Sequence, residues 1–167
     1  MEKICCVTGH REIPEDQAEK IKTALGREIE KAAAEGYTGF MTGFEAGVDQ
    51  TFAELVVELQ KNRPEVKLIA VLPHPQMVED LQAGAHTKEL LESCAEIKVM
   101  EGKDRQAAYS LRRRFMVEQA DRVIAVYDGR ETGGTVKMIR LAHQFRKELR
   151  EVPVGELQLP WRLHRER

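Results

Sequence analysis

Three groups of residues in this chain have types and spacing that could do chemistry. The first is Gly133-Gly134-Thr135, which closes a polar loop that opens with Tyr127-Asp128-Gly129. An apolar run, Val123 to Val126, leads into that loop, and a helical pattern leaves it. A strand that ends in a glycine-rich loop and enters a helix leaves backbone N–H groups unpaired, and the helix dipole favours an anion beside them. The bland alternative is a tight turn before a helix, with Thr135 as a plain N-cap. The second group is Arg112-Arg113-Arg114. Arg112 falls four residues before Met116, on a face expected to be buried, where its guanidinium could grip a phosphate with two parallel hydrogen bonds. A structural salt bridge is the rival role. Arg112 and Arg114 diverge on a helix, so one of the two is expected to be a solvated charge.

The third group occupies two further loops, Thr8-Gly9-His10-Arg11 and Gly43-Phe44-Glu45-Ala46-Gly47-Val48-Asp49, with Glu54 just beyond. Arg11 reads as an anion contact. His10 reads as a loop histidine, more often structural than catalytic. Asp49 could complement a helix dipole or accept hydrogen bonds from a ribose or base. Glu54 is the acid expected to do chemistry if any is done, although an exposed helix position explains it equally well. Glu45 is the fallback carboxylate, and His74 and Lys137 are weaker candidates for ligand contact.

Positioning these residues requires a frame. Lys3–Val7, Tyr37–Thr42, Lys67–Leu72 and Val123–Val126 read as strands, and Ile97–Met100 as a further one. Helical spacing runs over Glu15–Glu35, where Ala18, Ile21, Leu25, Ile29 and Ala32 share a face. It recurs after Asp49, where Phe52, Leu55, Val56 and Leu59 fall at i, i+3, i+4 and i+7. Leu81–Cys94, Gln106–Gln119 and Val136–Leu149 complete the helices, the last lined by Val136, Ile139, Ala142, Phe145 and Leu149. Val152-Pro153-Val154 reads as an edge strand. Such alternation argues for one α/β domain over residues 1–155, three layers deep, with a mostly parallel sheet and helices on both faces. Ligands bind such sheets outside the carboxyl ends of the strands, which places the loops TGHR, GFEAGVD, PHP and YDGRETGGT on one rim. Residues 156–167 read as a tail carrying Trp161, packed on the surface or on a partner.

Composition narrows the partners. The chain has 167 residues, 42% apolar and 32% charged, which suits a single globular domain. A net charge of -2 and 5% aromatics argue against nucleic acid and against an anionic membrane. No apolar run approaches the ~20 residues of a membrane span. Cys5 and Cys6 are neighbours in a strand and point to opposite faces, so they are expected as reduced thiols in a cytoplasmic protein. His86, His143 and His164 have no metal-ligand spacing, and no metal site is expected.

The ordered set Thr8-Gly9-His10-Arg11, Gly43-x3-Gly47-Val48-Asp49 with Glu54, Arg112-x-Arg114-Phe115-Met116-Val117, Ala125-Val126-Tyr127-Asp128-Gly129 and Gly133-Gly134-Thr135 resembles the bacterial YpsA-like family of the SLOG superfamily. The resemblance covers residues 3 to 154 and implies a Rossmann-like fold. It also implies a nucleotide or nucleotide-derived ligand, such as one like ADP-ribose, on the glycine-rich rim, with no required cofactor. The superfamily includes DNA-processing protein A and the lonely-guy phosphoribohydrolases, which cleave the base from nucleoside 5′-monophosphates. The resemblance favours Glu54 as a functional acid and makes a homo-oligomer an expectation. Two departures stand out. The phosphoribohydrolase pattern PGGxGTxxE has neither its proline nor its glutamate here, since the loop reads Thr132-Gly133-Gly134-Thr135-Val136-Lys137-Met138. Arg113 stands where the family pattern has asparagine. The leading expectation is therefore a binding module acting as sensor or adaptor. A nucleotide N-glycosidase using Glu54 or Asp49 comes second, and single-stranded nucleic-acid binding third.

Overall fold

The computed structural model describes residues 1–155, so the expected tail and its Trp161 lie outside the described residues. The strands are β1 (Lys3–Thr8), β2 (Tyr37–Thr42), β3 (Lys67–Leu72), β4 (Cys94–Val99), β5 (Arg122–Tyr127) and β6 (Glu148–Pro153). The helices are α1 (Ala18–Ala34), α2 (Val48–Gln60), α3 (Pro75–Ala83), α4 (Ala85–Glu92), α5 (Arg105–Gln119) and α6 (Gly134–Gln144). The strands form one six-stranded sheet in the order β4-β3-β2-β1-β5-β6. Every neighbouring pair is parallel.

The sheet is the middle of three layers. Strand side chains alternate, so each strand feeds two cores. Cys5, Val7, Phe40, Leu68 and Val126 join Leu25, Ile29, Phe52, Val56 and Leu90 from α1, α2 and α4. Cys6, Met41, Ile69, Val71 and Val123 join Met116, Val117, Met138 and Ala142 from α5 and α6. The adjacent cysteines thus face opposite layers, both buried and free. All of β5 is buried, as expected of an inner parallel strand.

Several boundaries differ from the sequence reading, including that of β4, which was expected over Ile97–Met100. The helix read over Leu81–Cys94 is two helices meeting at Gly84, and Cys94 opens β4 instead. The first helix begins at Ala18, after a single 3-10 turn at Glu15–Gln17. The last helix stops at Gln144, not Leu149. Arg146 takes φ 55, a left-handed conformation usually given to glycine. The N–H of Lys147 reaches back to the Ala142 carbonyl at 2.8 Å, which ends the helix. Leu149 therefore sits in β6, and the edge strand begins four residues before Val152.

The order of strands places the rim. From β1 the chain steps outward through β2 and β3 to β4, with α1 to α4 in one layer. Helix α5 then returns in the opposite layer and delivers β5 to the other side of β1. The loops after β1 and β5 leave toward opposite layers, and a crevice opens where they part. Gly47 fixes the near wall. It has φ 81, and a Cβ there would lie 2.4 Å from the Arg11 carbonyl oxygen and 2.6 Å from that of His10. Gly47→Ala is therefore expected to lose at least ~1–3 kcal/mol of stability. Urea unfolding checks this, and an unchanged midpoint would show that the loop has room to withdraw.

Candidate functional site

At the carboxyl ends of β1, β2 and β5 lies a cleft of about 520 Å³. Gly9, His10, Arg11, Gly43, Asp49, Arg112, Gly133, Gly134 and Thr135 line it, together with Glu12, Glu45, Tyr109, Arg113 and Arg130. The loops after β1, β2 and β5 thus meet as the topology requires. Its volume is that of a small-molecule site, about 300–1,000 Å³.

One wall is the amino terminus of α6. Gly133 is the N-cap, with φ 107, and Gly134 is the first helical residue. Thr135 is thus not the cap; it is buried, and its hydroxyl accepts a bond from Thr8 Oγ1 at 3.3 Å. That contact ties the end of β1 to the start of α6. A Cβ at Gly133 or Gly134 would meet nothing within 4 Å. The backbone of this turn is therefore open to the cleft, not covered by its own side chains.

Opposite stands an arginine cluster. Arg112 is buried, and its Nη1 donates to the Gly43 carbonyl at 3.1 Å and to Glu45 Oε2 at 3.4 Å. Its guanidinium lies 4.8 Å from the centre of the Tyr109 ring. Glu45 also pairs with Arg11 at 3.3 Å, so one carboxylate bridges two cations. Gly43 permits this arrangement, because a Cβ would press on both Arg112 and Asp49 at 3.1 Å. Arg112 thus combines a structural anchor with a place in the cleft wall. Arg114 takes the opposite side of α5, paired with Glu118 at 2.7 Å and stacked over Phe145.

Asp49 is the buried acid of the site. Its carboxylate accepts the Glu45 N–H at 3.2 Å. Burial pushes its pKa up from 3.8 to about 7, against the pull of Arg112. Glu54 behaves differently. It lies on the far side of α2, paired with His86 of α4 at 2.6 Å and outside the cleft. Five residues of helix separate it from Asp49, which is about 140° around the axis.

His10 is half-buried, and burial lowers its pKa. Its Nε2 accepts the Asp128 N–H at 3.3 Å, which fits a neutral ring. The Asp128 carboxylate, 3.2 Å from the same nitrogen, is engaged mainly by Arg130. His10 thus braces the loop after β5. Gly47 lies behind the wall, where it lets the loop after β1 approach α2. His74 packs edge-on to Tyr109 at 6.2 Å and lines a neighbouring hollow. The thiols are poor nucleophiles, since burial pushes Cys6 and Cys94 up to about 12. Among the described residues no cluster of His, Cys, Asp or Glu could hold a metal ion, and no helix is long and apolar enough to cross a membrane.

Sequence reasoning did not single out Tyr109, Arg130 or Glu12 for this cleft, and it marked Arg113 only as a departure from the family pattern. The signal for Tyr109 was available: it precedes Arg112 by three residues, one helical turn.

The parallel sheet, its two helical layers and a rim cleft at the strand-order reversal define a single Rossmann-like α/β domain. The chain belongs to the YspA SLOG family, whose model matches residues 5–157. A UPF0398 protein of Ligilactobacillus salivarius (strain UCC118) is 26% identical over 140 residues, covering 77% of this chain and 76% of its own. A UPF0398 protein of Bacillus pumilus (strain SAFR-032) is 26% identical over 156 residues, with 86% and 83% covered. Among solved structures, DNA processing protein A from Helicobacter pylori, described for its single-stranded DNA binding mode, superposes with a TM-score of 0.61 at 20% identity. The match covers 90% of this chain but only 65% of that one. The molybdenum cofactor carrier protein of Chlamydomonas reinhardtii gives a TM-score of 0.59 at 18% identity, covering 90% and 76%. At these identities the two structures share the fold.

The Asp49 pKa has a consequence for stability. The folded-state value, about 7, exceeds the ordinary 3.8, so between them the folded chain holds a proton that the unfolded chain has released. The contribution is complete below the lower value and lost as pH rises toward the higher one. Asp49→Asn removes it. The variant's gain in stability over the parent is expected to be larger at about pH 8 than at about pH 5, by about 2–3 kcal/mol. Urea unfolding at the two pH values reads the difference, and equal gains would mean that Asp49 titrates normally.

Proposed function

We propose that the cleft binds a nucleotide or nucleotide-derived small molecule, with a phosphate on the α6 amino terminus, and that the protein acts as a sensor or adaptor in the cytoplasm. One observation carries this reading: the open Gly133-Gly134 backbone faces a cleft also lined by Arg11, Arg112, Arg113 and Arg130. Backbone donors at a helix start and guanidinium forks are complementary to phosphate oxygens. Beside the cleft a pocket of about 280 Å³ sets an apolar wall of Ile13, Ile21, Val48, Val126 and Val154 against His10, Glu12, Asp128 and Arg130, and offers a seat for a base. The superfamily neighbours add breadth, since one is described as binding single-stranded DNA and another as a molybdenum cofactor carrier.

A second reading, nucleotide N-glycosidase, is favoured by one feature. A buried carboxyl titrating near neutrality, as Asp49 does, can donate or accept a proton at working pH. Glu54, the acid first considered for this chemistry, is directed at His86 instead. The enzyme reading therefore rests on Asp49 alone. Incubation with nucleoside 5′-monophosphates separates the two. A binding module releases no free base; base release that disappears in Asp49→Asn would replace it with the enzyme.

Gly134→Val tests the phosphate seat. The position is free of positive φ and has open space around it, so the fold is expected to tolerate valine. Calorimetric titration with adenosine monophosphate and ADP-ribose is expected to show at least a ~30-fold loss of affinity, in keeping with the loss of about 2 kcal/mol of phosphate contacts. Unchanged affinity in the folded variant would remove the α6 terminus from the site.

A further inference from the structure

Arg113 occupies an unusual position among the arginines of the cleft. Arg11 and Arg112 share Glu45, and Arg130 holds Asp128. Among the described residues Arg113 has neither a hydrogen bond nor an ion pair. It is half-buried, and burial together with the neighbouring charge of Arg112 lowers its pKa. A guanidinium placed so lacks an anion that would offset both penalties.

Arg113 also lines a second hollow, a groove of about 280 Å³ between α5 and α6. The rest of that groove is Ser110, Arg114, Lys137, Arg140, Leu141 and Gln144. Among the described residues it holds four cations and no acid. Of these cations only Arg114 is neutralised among the described residues, by Glu118. Lys137 and Arg140 are exposed, three residues apart on one face of α6, and have no ion pair among the described residues. Like charges at that spacing oppose helix formation slightly, so the sequence tolerates a local penalty here. Among the described residues the groove has no aromatic side chain in its lining, hence no platform there on which a base could stack. Its chemistry is that of phosphate, supplemented by the polar groups of Ser110 and Gln144.

We propose that this groove is a second anion subsite, joined to the cleft through Arg113, and that the ligand is a nucleotide carrying two separate phosphate groups. One phosphate sits on the α6 amino terminus, and the second enters the groove between Arg113, Lys137 and Arg140. The proposal rests on the nucleotide reading of the cleft and specifies its ligand. It also gives Arg113, the arginine that stands where the family pattern has asparagine, a distinct task.

The test compares adenosine 5′-monophosphate with adenosine 3′,5′-bisphosphate by calorimetric titration of the full chain. The bisphosphate is expected to bind at least ~10-fold more tightly, the worth of one charge-assisted contact. In a Lys137→Ala/Arg140→Ala double variant that advantage is expected to vanish, the two nucleotides then binding within ~2-fold of each other. Both substitutions are exposed, and a matched circular-dichroism melt confirms folding. Equal affinity of the parent for the two nucleotides overturns the second subsite and leaves the cleft reading intact. Binding of neither nucleotide overturns both. An unstructured oligothymidylate that outcompetes the bisphosphate, and does so only while Lys137 and Arg140 are present, overturns the small-molecule assignment in favour of a phosphate chain.

Discussion

The cleft depends on how closely the loop after β1 approaches the first turn of α2. Two missing side chains set that distance. A Cβ at Gly9 would lie 2.5 Å from the Val48 side chain, and one at Gly47 would strike the Arg11 and His10 carbonyls. With both absent, the Val48 N–H donates to the His10 carbonyl at 3.3 Å. The loop is then pinned at backbone level, and His10 and Arg11 stand over the same opening that Asp49 and Gly43 border from below. Loosening this contact by even one methyl group would shift three walls of the cleft together. The glycines of the first two loops therefore serve the frame, and those at the start of α6 serve the opening.

The opposite end of the sheet shows what the cleft would look like if it were closed. Arg122, at the amino end of β5, pairs with Glu35 at 2.7 Å and Glu148 at 3.1 Å and covers the Tyr37 ring at 4.6 Å. Its partners hold the guanidinium firmly charged. Arg150 adds a further pair with Glu28. Here both guanidiniums are paired with carboxylates of the same chain, although Arg122 Nε is buried without a partner among the described residues. At the carboxyl end the supply of acids falls short, with Glu45 divided between Arg11 and Arg112 and Asp49 pushed toward its neutral form by burial. The same residue type is thus a clamp at one end of the strands and an unfilled valence at the other.

This contrast explains what the sequence made legible. Strand and helix positions follow from apolar periodicity, and the parallel order from their alternation, because both are consequences of burying one face of each element. The rim then followed from chain direction alone. The errors lie where a non-local contact or an unadvertised backbone conformation decides. Nothing in Arg146 announces a left-handed residue, so the last helix was read through into β6. Gly84 announced a break only in hindsight, since a single glycine within a helical pattern is common. Glu54 was weighed as a site acid on pattern, although its angle around α2 from Asp49 already pointed it elsewhere. The divergence of Arg112 from Arg114 was read correctly by the same geometry, applied to α5.

Net charge is the other place where a whole-chain quantity and a local one part company. A value of -2 describes a chain whose acids outnumber its bases slightly, and it argued against polyanionic partners. Screening makes that sum nearly irrelevant beyond about 10 Å, so a ligand at the cleft senses only the residues around it. Those are Arg11, Arg112, Arg113 and Arg130 against Glu12, Glu45 and Asp49. With Asp49 protonated the balance moves further toward positive, and a bound anion would in turn hold that proton more tightly by raising the energy of the carboxylate. Charge at a site is thus decided by burial and pairing, and a fold that buries one acid beside a cluster of arginines can present an anion-seeking face on a protein that is, in sum, an anion itself.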